Sequence, residues 1–189
     1  MNYEPKTFHL KDSSVCILRS LLPGEAETVN RFMKQVYGES DFLMRYPEEV
    51  TEDSRNMHRF LKKNLEDETG MCVGAFINGA LVGHTQVTGV GKHLKTNHRC
   101  SLAIAVRQDY WHLGIGRLLI EEDLRLAAEM GYEQIELGVF ADNKRAQHLY
   151  ESCGFETWGV TPHAFKLKDG SYRSEITMGR FLSSAEQRD

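Results

Sequence analysis

The sequence has no pair of cysteines at a metal-binding or redox spacing. Cys16, Cys72, Cys100 and Cys153 stand far apart, with no C-x-x-C. A metal site or disulfide framework is therefore not expected; four reduced, mostly buried thiols of a cytoplasmic protein are. No run approaches the roughly 20 apolar residues that span a bilayer, so no membrane partner is expected. The N-terminus, MNYEPKTFHLKDSS, lacks the apolar core of a secretory signal. There is no excess of positive charge either: 23 Lys and Arg stand against 27 Asp and Glu, for a net charge of −4. Nucleic acid, which favours basic patches, is not expected as a partner, and cationic amines are accommodated. No internal repeat or low-complexity segment is visible. What remains, 189 residues with 41% hydrophobic and 26% charged positions, is the composition of one ordinary globular domain.

Two phosphate-binding fingerprints are also missing. Val106 to Met130 reads as a strand end, a glycine-bearing turn and a helix, with Gly114 and Gly116 where turn becomes helix. The dinucleotide pattern G-x-G-x-x-G requires a third glycine where Leu119 stands. A phosphate loop requires Gly-Lys followed by Ser or Thr, but Gly91-Lys92 is followed by His93. The turn still has what an anion needs. Glycine admits close approach to the backbone, and the first N–H groups of the helix point outward at its positive end. Ile115, Leu118, Leu119, Leu126, Ala127 and Met130 give that helix an apolar face.

A second stretch, Ile135 to Gly159, decides which fold carries the turn. Ile135, Leu137 and Val139 alternate as in a strand. Asn143 occupies a helix N-cap position, Ala146, Leu149, Tyr150 and Cys153 follow at helical spacing, and Gly154 stands where a helix stops. Taken together, YWHLGIGRLLI and VFADNKRAQHLYESCGF resemble the GNAT superfamily of N-acetyltransferases. The first matches its acetyl-CoA pyrophosphate motif, with Gly114 and Gly116 in the glycine places; the second matches its Asn…Ala…Leu-Tyr…Gly-Phe motif. The resemblance runs from about Val15 to Leu182 and implies a mixed α/β fold, a mainly antiparallel central sheet flanked by helices with splayed fourth and fifth strands.

The rest of the chain fits that order. Residues 1–14 read as an edge addition or a loosely held arm. Val15 to Arg19 is a first strand, broken by Pro23-Gly24. A helix with Ala26, Val29, Met33 and Val36 on one face is closed by Gly38. A second helix is expected from Thr51 to a stop at Gly70. Strands at 71–77 and 81–90 surround the hairpin signal Asn78-Gly79. The strand 99–106 feeds the glycine turn. A final hairpin, 160–167 and 172–182, turns at Asp169-Gly170 and could pair between copies, so a homodimer is left open. Residues 183–189 read as a frayed tail.

The resemblance assigns roles. The cofactor, used as a co-substrate, is acetyl-CoA. Its pyrophosphate would lie in the backbone cradle His112, Leu113, Gly114, Ile115, Gly116 and Arg117, and its pantetheine arm along the main chain of Ile104, Ala105 and Val106. Asn143 would contact the pantetheine or support the nearby strand end. Acyl transfer to an amine also needs oxyanion donors and a proton for the departing sulfur. A backbone N–H near Ala105 or Val106 suits the first, and the Tyr150 phenol the second; without the motif match Tyr150 would read as a core aromatic. Glu39 to Glu49 reads either as a solvated connection or as an acceptor-site wall. In the latter, Glu39, Asp41 or Glu48 would attract an ammonium group and Phe42 and Tyr46 would contact its carbon skeleton. No general base stands out. The place of a carboxylate on the fourth strand is held by Ser101, and His84, His98, Glu136 and His148 are candidates by chemistry alone. Trp111 stands where Arg or Gln is usual. The function implied is N-acetylation of a primary amine of a small molecule. The alternatives are a protein lysine or N-terminal acetyltransferase, or a non-catalytic acyl-CoA sensor.

Overall fold

A computed structural model describes residues 2–51 and 53–182, and two compact units are distinguished in it. The first comprises Met1–Thr88 and Ala103–Asp123, the second Gly89–Leu102 and Leu124–Asp189. The expected C-terminal tail, 183–189, lies outside the described residues.

In the first unit, four strands pair in chain order, all antiparallel: β1 (Lys6–His9), β2 (Val15–Ser20), β3 (Gly70–Ile77) and β4 (Ala80–Gly89, its last residue in the other unit). The N-terminal segment is therefore an edge strand rather than a loose arm. Beside it Tyr3 is buried, its N–H donating to Ser20 Oγ at 2.7 Å and its hydroxyl to Glu122 at 2.8 Å. In β2, Cys16, Leu18 and Ser20 are buried while Val15 and Ile17 face out, the period-2 pattern of a one-sided strand. β3 is buried throughout. The Asn78-Gly79 turn has positive φ at both residues, 49° and 79°, as a two-residue hairpin requires.

Helices α1 (Ala26–Glu39) and α2 (Arg55–Glu66) cover one face of this sheet. Val29, Phe32 and Val36 of α1 and Leu61 of α2 form a core with Leu21, Cys72, Phe76 and Leu81. Three expected boundaries move. α1 runs one residue past Gly38, with Ser40 as its C-cap. α2 begins at Arg55 rather than Thr51, because the Asp53 carboxylate accepts the Arg55 N–H at 2.9 Å and holds the preceding backbone in a turn. Gly70 is not a helix stop but the first residue of β3.

Strand β5 (Arg99–Val106) and helix α3 (Ile115–Glu129) each belong partly to both units. Within the first unit, α3 rests on β4 where Gly83 leaves room: a Cβ there would come within 3.2 Å of both Ile115 and Leu119. A buried polar chain joins three elements at this point. Thr85 Oγ1 of β4 lies 3.1 Å from the Ala103 carbonyl of β5 and in short contact with the Asp123 carboxyl of α3. Thr85 and Asp123 are each 1% exposed. A hydroxyl carries one proton, so two such bonds require a second proton, and only Asp123 can supply it. Burial pushes the Asp123 carboxyl well above the usual carboxylate range; the Thr85 hydroxyl pulls the other way and the charge of Glu122 adds to the rise. On the other face of β4, His84 Nε2 sits 3.0 Å from Cys72 Sγ. Burial lowers the imidazole to about 4 and raises the thiol to about 12.

In the second unit the strand order is β5, β6 (Gln134–Phe140), β8 (Tyr172–Phe181), β7 (Glu156–Lys166). β6 runs antiparallel to β8 over all seven of its residues, but pairs in parallel with β5 only at Arg99–Ser101 against Gln134–Glu136. These are the expected fourth and fifth strands, numbered one higher because of β1. Ile135, Leu137, Val139 and Met178 are buried. Helix α4 (Lys144–Ser152) is capped as expected, with Asn143 Oδ1 accepting the Ala146 N–H. Strand β7 starts at Glu156, four residues before the expected position. Gly159, which reads as a break, is a register irregularity within the strand. All four cysteines are free and buried, and among the described residues no helix is long and apolar enough to cross a membrane.

Asp123→Asn tests the buried chain, because an amide can donate to Thr85 as the protonated acid does. A carboxyl whose folded pKa is raised loses stability as pH rises above its unfolded value of about 3.9. The variant should therefore melt at the same temperature as the parent near pH 4 and at a progressively higher one towards pH 8. Thermal denaturation across that range measures it.

Candidate functional site

The glycine turn lies wholly within the first unit. β5 ends at Val106, a short 3-10 turn covers Gln108–Tyr110, and α3 begins at Ile115. Three hydrogen bonds fix the path. Arg107 N–H donates to Val82 O at 3.0 Å, the Trp111 indole N–H donates to Val106 O at 2.8 Å, and Gln108 N–H donates to the Glu39 carboxylate at 2.7 Å. Trp111 thus ties the turn to the strand end. Two residues have left-handed backbone, His112 at φ 67° and Gly114 at φ 95°. The second conformation is one that residues with a Cβ rarely adopt. The first helical bond follows at once, from Leu118 N–H to Gly114 O at 3.0 Å. Ile115, Leu119 and Ile120 are buried, whereas His112 and Arg117 are exposed, so the cradle is anchored from below and open above.

A residue not singled out in the sequence also reaches the turn. Lys11, in the connection between β1 and β2, has its Cε 3.9 Å from the position of a Cβ on Gly114. Arg117, at the end of the expected backbone cradle, has a 3.5 Å contact with Glu121. No sequence signal could have linked Lys11 to a residue about a hundred positions away.

The second motif lies in the second unit. Asn143 N–H donates to Phe140 O, the last residue of β6, at 3.0 Å. The buried Gln147, also not singled out, donates its side-chain amide to Phe140 O at 3.1 Å and Ala141 O at 3.0 Å. The start of α4 therefore secures the end of β6. Tyr150 is 9% exposed, with its ring tilted against Phe155 at a centroid distance of 6.0 Å. Burial pushes its phenol up to about 12, with Cys153 a smaller contribution in the same direction. Asn143 and Tyr150 are thus placed on one helix, seven positions apart.

The expected acceptor residues are dispersed among other tasks. Glu39 caps the turn after β5 and also accepts from Gln35 Nε2 at 2.8 Å. Phe42 and Tyr46 are half-buried, and the neighbouring Leu43 packs on the α1–α2 core. Of the candidate bases, His84 is buried against Cys72 and Glu136 is held by Arg99 at 2.6 Å. His98 contributes its carbonyl to the N–H groups of Glu133 and Gln134, and His148 is exposed.

The acetyltransferase (GNAT) family model matches residues 34–155. The chain belongs to the GNAT acetyltransferase family. It is similar to the L-amino acid N-acetyltransferase AaaT of Escherichia coli (strain K12), at 29% identity over 121 residues, 63% of this chain and 74% of that protein. It is also similar to YwnH of Bacillus subtilis (strain 168), at 34% over 70 residues, 37% of this chain. The match spans only 42% of YwnH. A solved acetyltransferase of the GNAT family from Streptococcus pneumoniae superposes with a TM-score of 0.83 at 27% identity, over 88% of this chain and 99% of that one.

Trp111→Phe removes the indole donor while keeping an aromatic ring. It should cost about 1 kcal/mol of stability, the usual worth of one such hydrogen bond, as read from the urea midpoint at unchanged slope.

Proposed function

We propose that this protein transfers the acetyl group of acetyl-CoA to a primary amine of a small molecule, in the cytoplasm. The observation that carries the reading is the open turn at the start of α3, with left-handed His112 and Gly114 and the Lys11 side chain beside it. Backbone N–H groups at a helix N-terminus together with a flexible cation suit a pyrophosphate. In this reading His112, Leu113, Gly114, Ile115, Gly116 and Arg117 receive the pyrophosphate, and Lys11 adds a charge. The main chain of half-buried Ile104, Ala105 and Val106 receives the pantetheine arm. The Val106 carbonyl is already engaged by Trp111, so this residue serves through its N–H. Asn143 acts chiefly by holding the end of β6, its Oδ1 being committed to the helix cap.

Bound acetyl-CoA supplies an activated thioester. Tyr150 serves the departing sulfur. With its phenol at about 12 it stays protonated throughout the working range. Transfer to a thiolate of about 8.5 is uphill, so its service is a hydrogen bond that strengthens as charge gathers on sulfur, with the proton moving late. Glu39, Phe42 and Tyr46 belong to the acceptor wall in this reading, Glu39 by fixing the turn at Gln108 rather than by meeting the amine itself. The family relation to an L-amino acid N-acetyltransferase favours a small amine over a protein substrate, and the presence of Tyr150 favours catalysis over sensing.

Calorimetric titration with acetyl-CoA, with ATP and NADH as controls, tests the reading: acetyl-CoA alone should bind. Gly114→Val should abolish that binding with the fold intact by circular dichroism, and Lys11→Ala should weaken it several-fold. Tyr150→Phe should keep acetyl-CoA affinity and lower amine-dependent thiol release by about 10²-fold, the scale of a lost acid. Normal turnover in that variant removes Tyr150 from the mechanism.

A further inference from the structure

The strand face that carries Ser101 has a carboxylate with no partner among the described residues. Ser101 pairs with Glu136 across the β5–β6 ladder, so both side chains stand on one face, opposite the buried Cys100 and Ile135. Gly138 and Phe140 follow on the same face of β6, where Gly138 lies against Thr177 and Phe140 against Glu175 of β8. Two carboxylates therefore share this face. Glu136 is neutralised by Arg99 at 2.6 Å. Glu175 has neither a hydrogen bond nor an ion pair among the described residues; the nearby Arg173 is directed to Asp142 at 3.4 Å.

Glu175 is held where a side chain of β6 would otherwise be. A Cβ on Gly138 would collide with its carboxyl group, whose Cδ lies 2.9 Å from that position. Gly138 is exposed and Glu175 half-buried, so the carboxylate is laid flat on the strand yet reachable from solvent. It stands on the part of β6 beyond the last described β5–β6 pair. A half-buried carboxylate with no ion pair among the described residues attracts a cation from outside, and an amine acceptor arrives in water as one, an ammonium group that must shed a proton before its nitrogen can attack.

We propose that Glu175 is the carboxylate that binds the ammonium group of the acceptor and takes its first proton, with Gly138 keeping its place open. This rests on the acetyl-transfer reading above. The acceptor is then a small molecule with a protonated primary amine. That nitrogen loses two protons in the reaction. The first passes to a Glu175 oxygen and on to solvent, freeing the lone pair. The nitrogen then attacks the thioester carbon, the C–N bond forms, and the C–S bond breaks with its electron pair going to sulfur. The second proton leaves the adduct nitrogen, and the thiol ends with one proton through Tyr150. The products are the N-acetyl amine, the free thiol of CoA and one released proton.

The experiment uses the full chain, acetyl-CoA, and a panel of L-methionine, phosphinothricin and spermidine in a thiol-release assay. Glu175→Gln should leave acetyl-CoA affinity and melting temperature unchanged, raise the KM for the amine at least tenfold and lower kcat/KM about 10²-fold. Gly138→Ala, which retains the charge but displaces it, should shift kcat/KM in the same direction by a smaller factor. Unchanged amine kinetics in Glu175→Gln overturns the assignment. So does a parent protein that binds acetyl-CoA yet shows no amine-dependent release with the whole panel, an outcome that leaves the cofactor site standing. A parent that fails to bind acetyl-CoA removes the acetyl-transfer reading and this assignment with it.

Discussion

The buried contact between Thr85 and Asp123 is the constraint on which the glycine turn depends. It joins β4 to α3, and through the Ala103 carbonyl it reaches β5. These are the elements that set where the turn begins and ends. Burying a carboxyl is expensive unless it is neutral and hydrogen-bonded, and a protonated Asp123 meets both conditions. The seat at Gly83 then brings the apolar face of α3 down on the sheet. With the helix fixed from below, its first turn can leave its N–H groups unsatisfied and outward, which is what an anion site demands.

Those parts of the fold that rest on short-range chemistry were legible in the sequence. Asn143 as a cap, Asn78-Gly79 as a hairpin and the unusual backbone at Gly114 all follow from what neighbouring atoms allow. The order of the principal strands and helices was legible too, through period and punctuation. What was not legible depends on residues distant in sequence. β1 is four polar-leaning residues whose strand character comes from pairing with β2. Lys11 reaches Gly114 only because that hairpin folds back. Glu39, one of three acids weighed for an acceptor wall, accepts a backbone N–H 69 positions away. Gln147 has no local signal at all, since its partners are carbonyls at the end of the preceding strand.

The candidate chemistry divides the same way. A motif fixes Tyr150 by its neighbours along one helix, whereas an acid is identified by what surrounds it. Glu136, attractive in sequence, carries its own counter-charge in Arg99. Glu175 showed nothing in sequence, and its interest arises from a glycine on another strand and from the absence of an ion pair to it among the described residues. Replacement of a carboxylate by Ser101 on β5 therefore does not empty this face of negative charge.

The indole that fastens the turn has an optical consequence. The sequence holds two tryptophans, and Trp111 is bonded to the last carbonyl of β5 next to the glycines, while Trp158 lies on β7 against Phe181. Indole emission responds to the polarity around its N–H. With Trp158 replaced by phenylalanine, the chain would carry a single tryptophan, placed where β5 enters the glycine turn. Occupancy of the turn would then be readable from the wavelength of its emission, with no label attached.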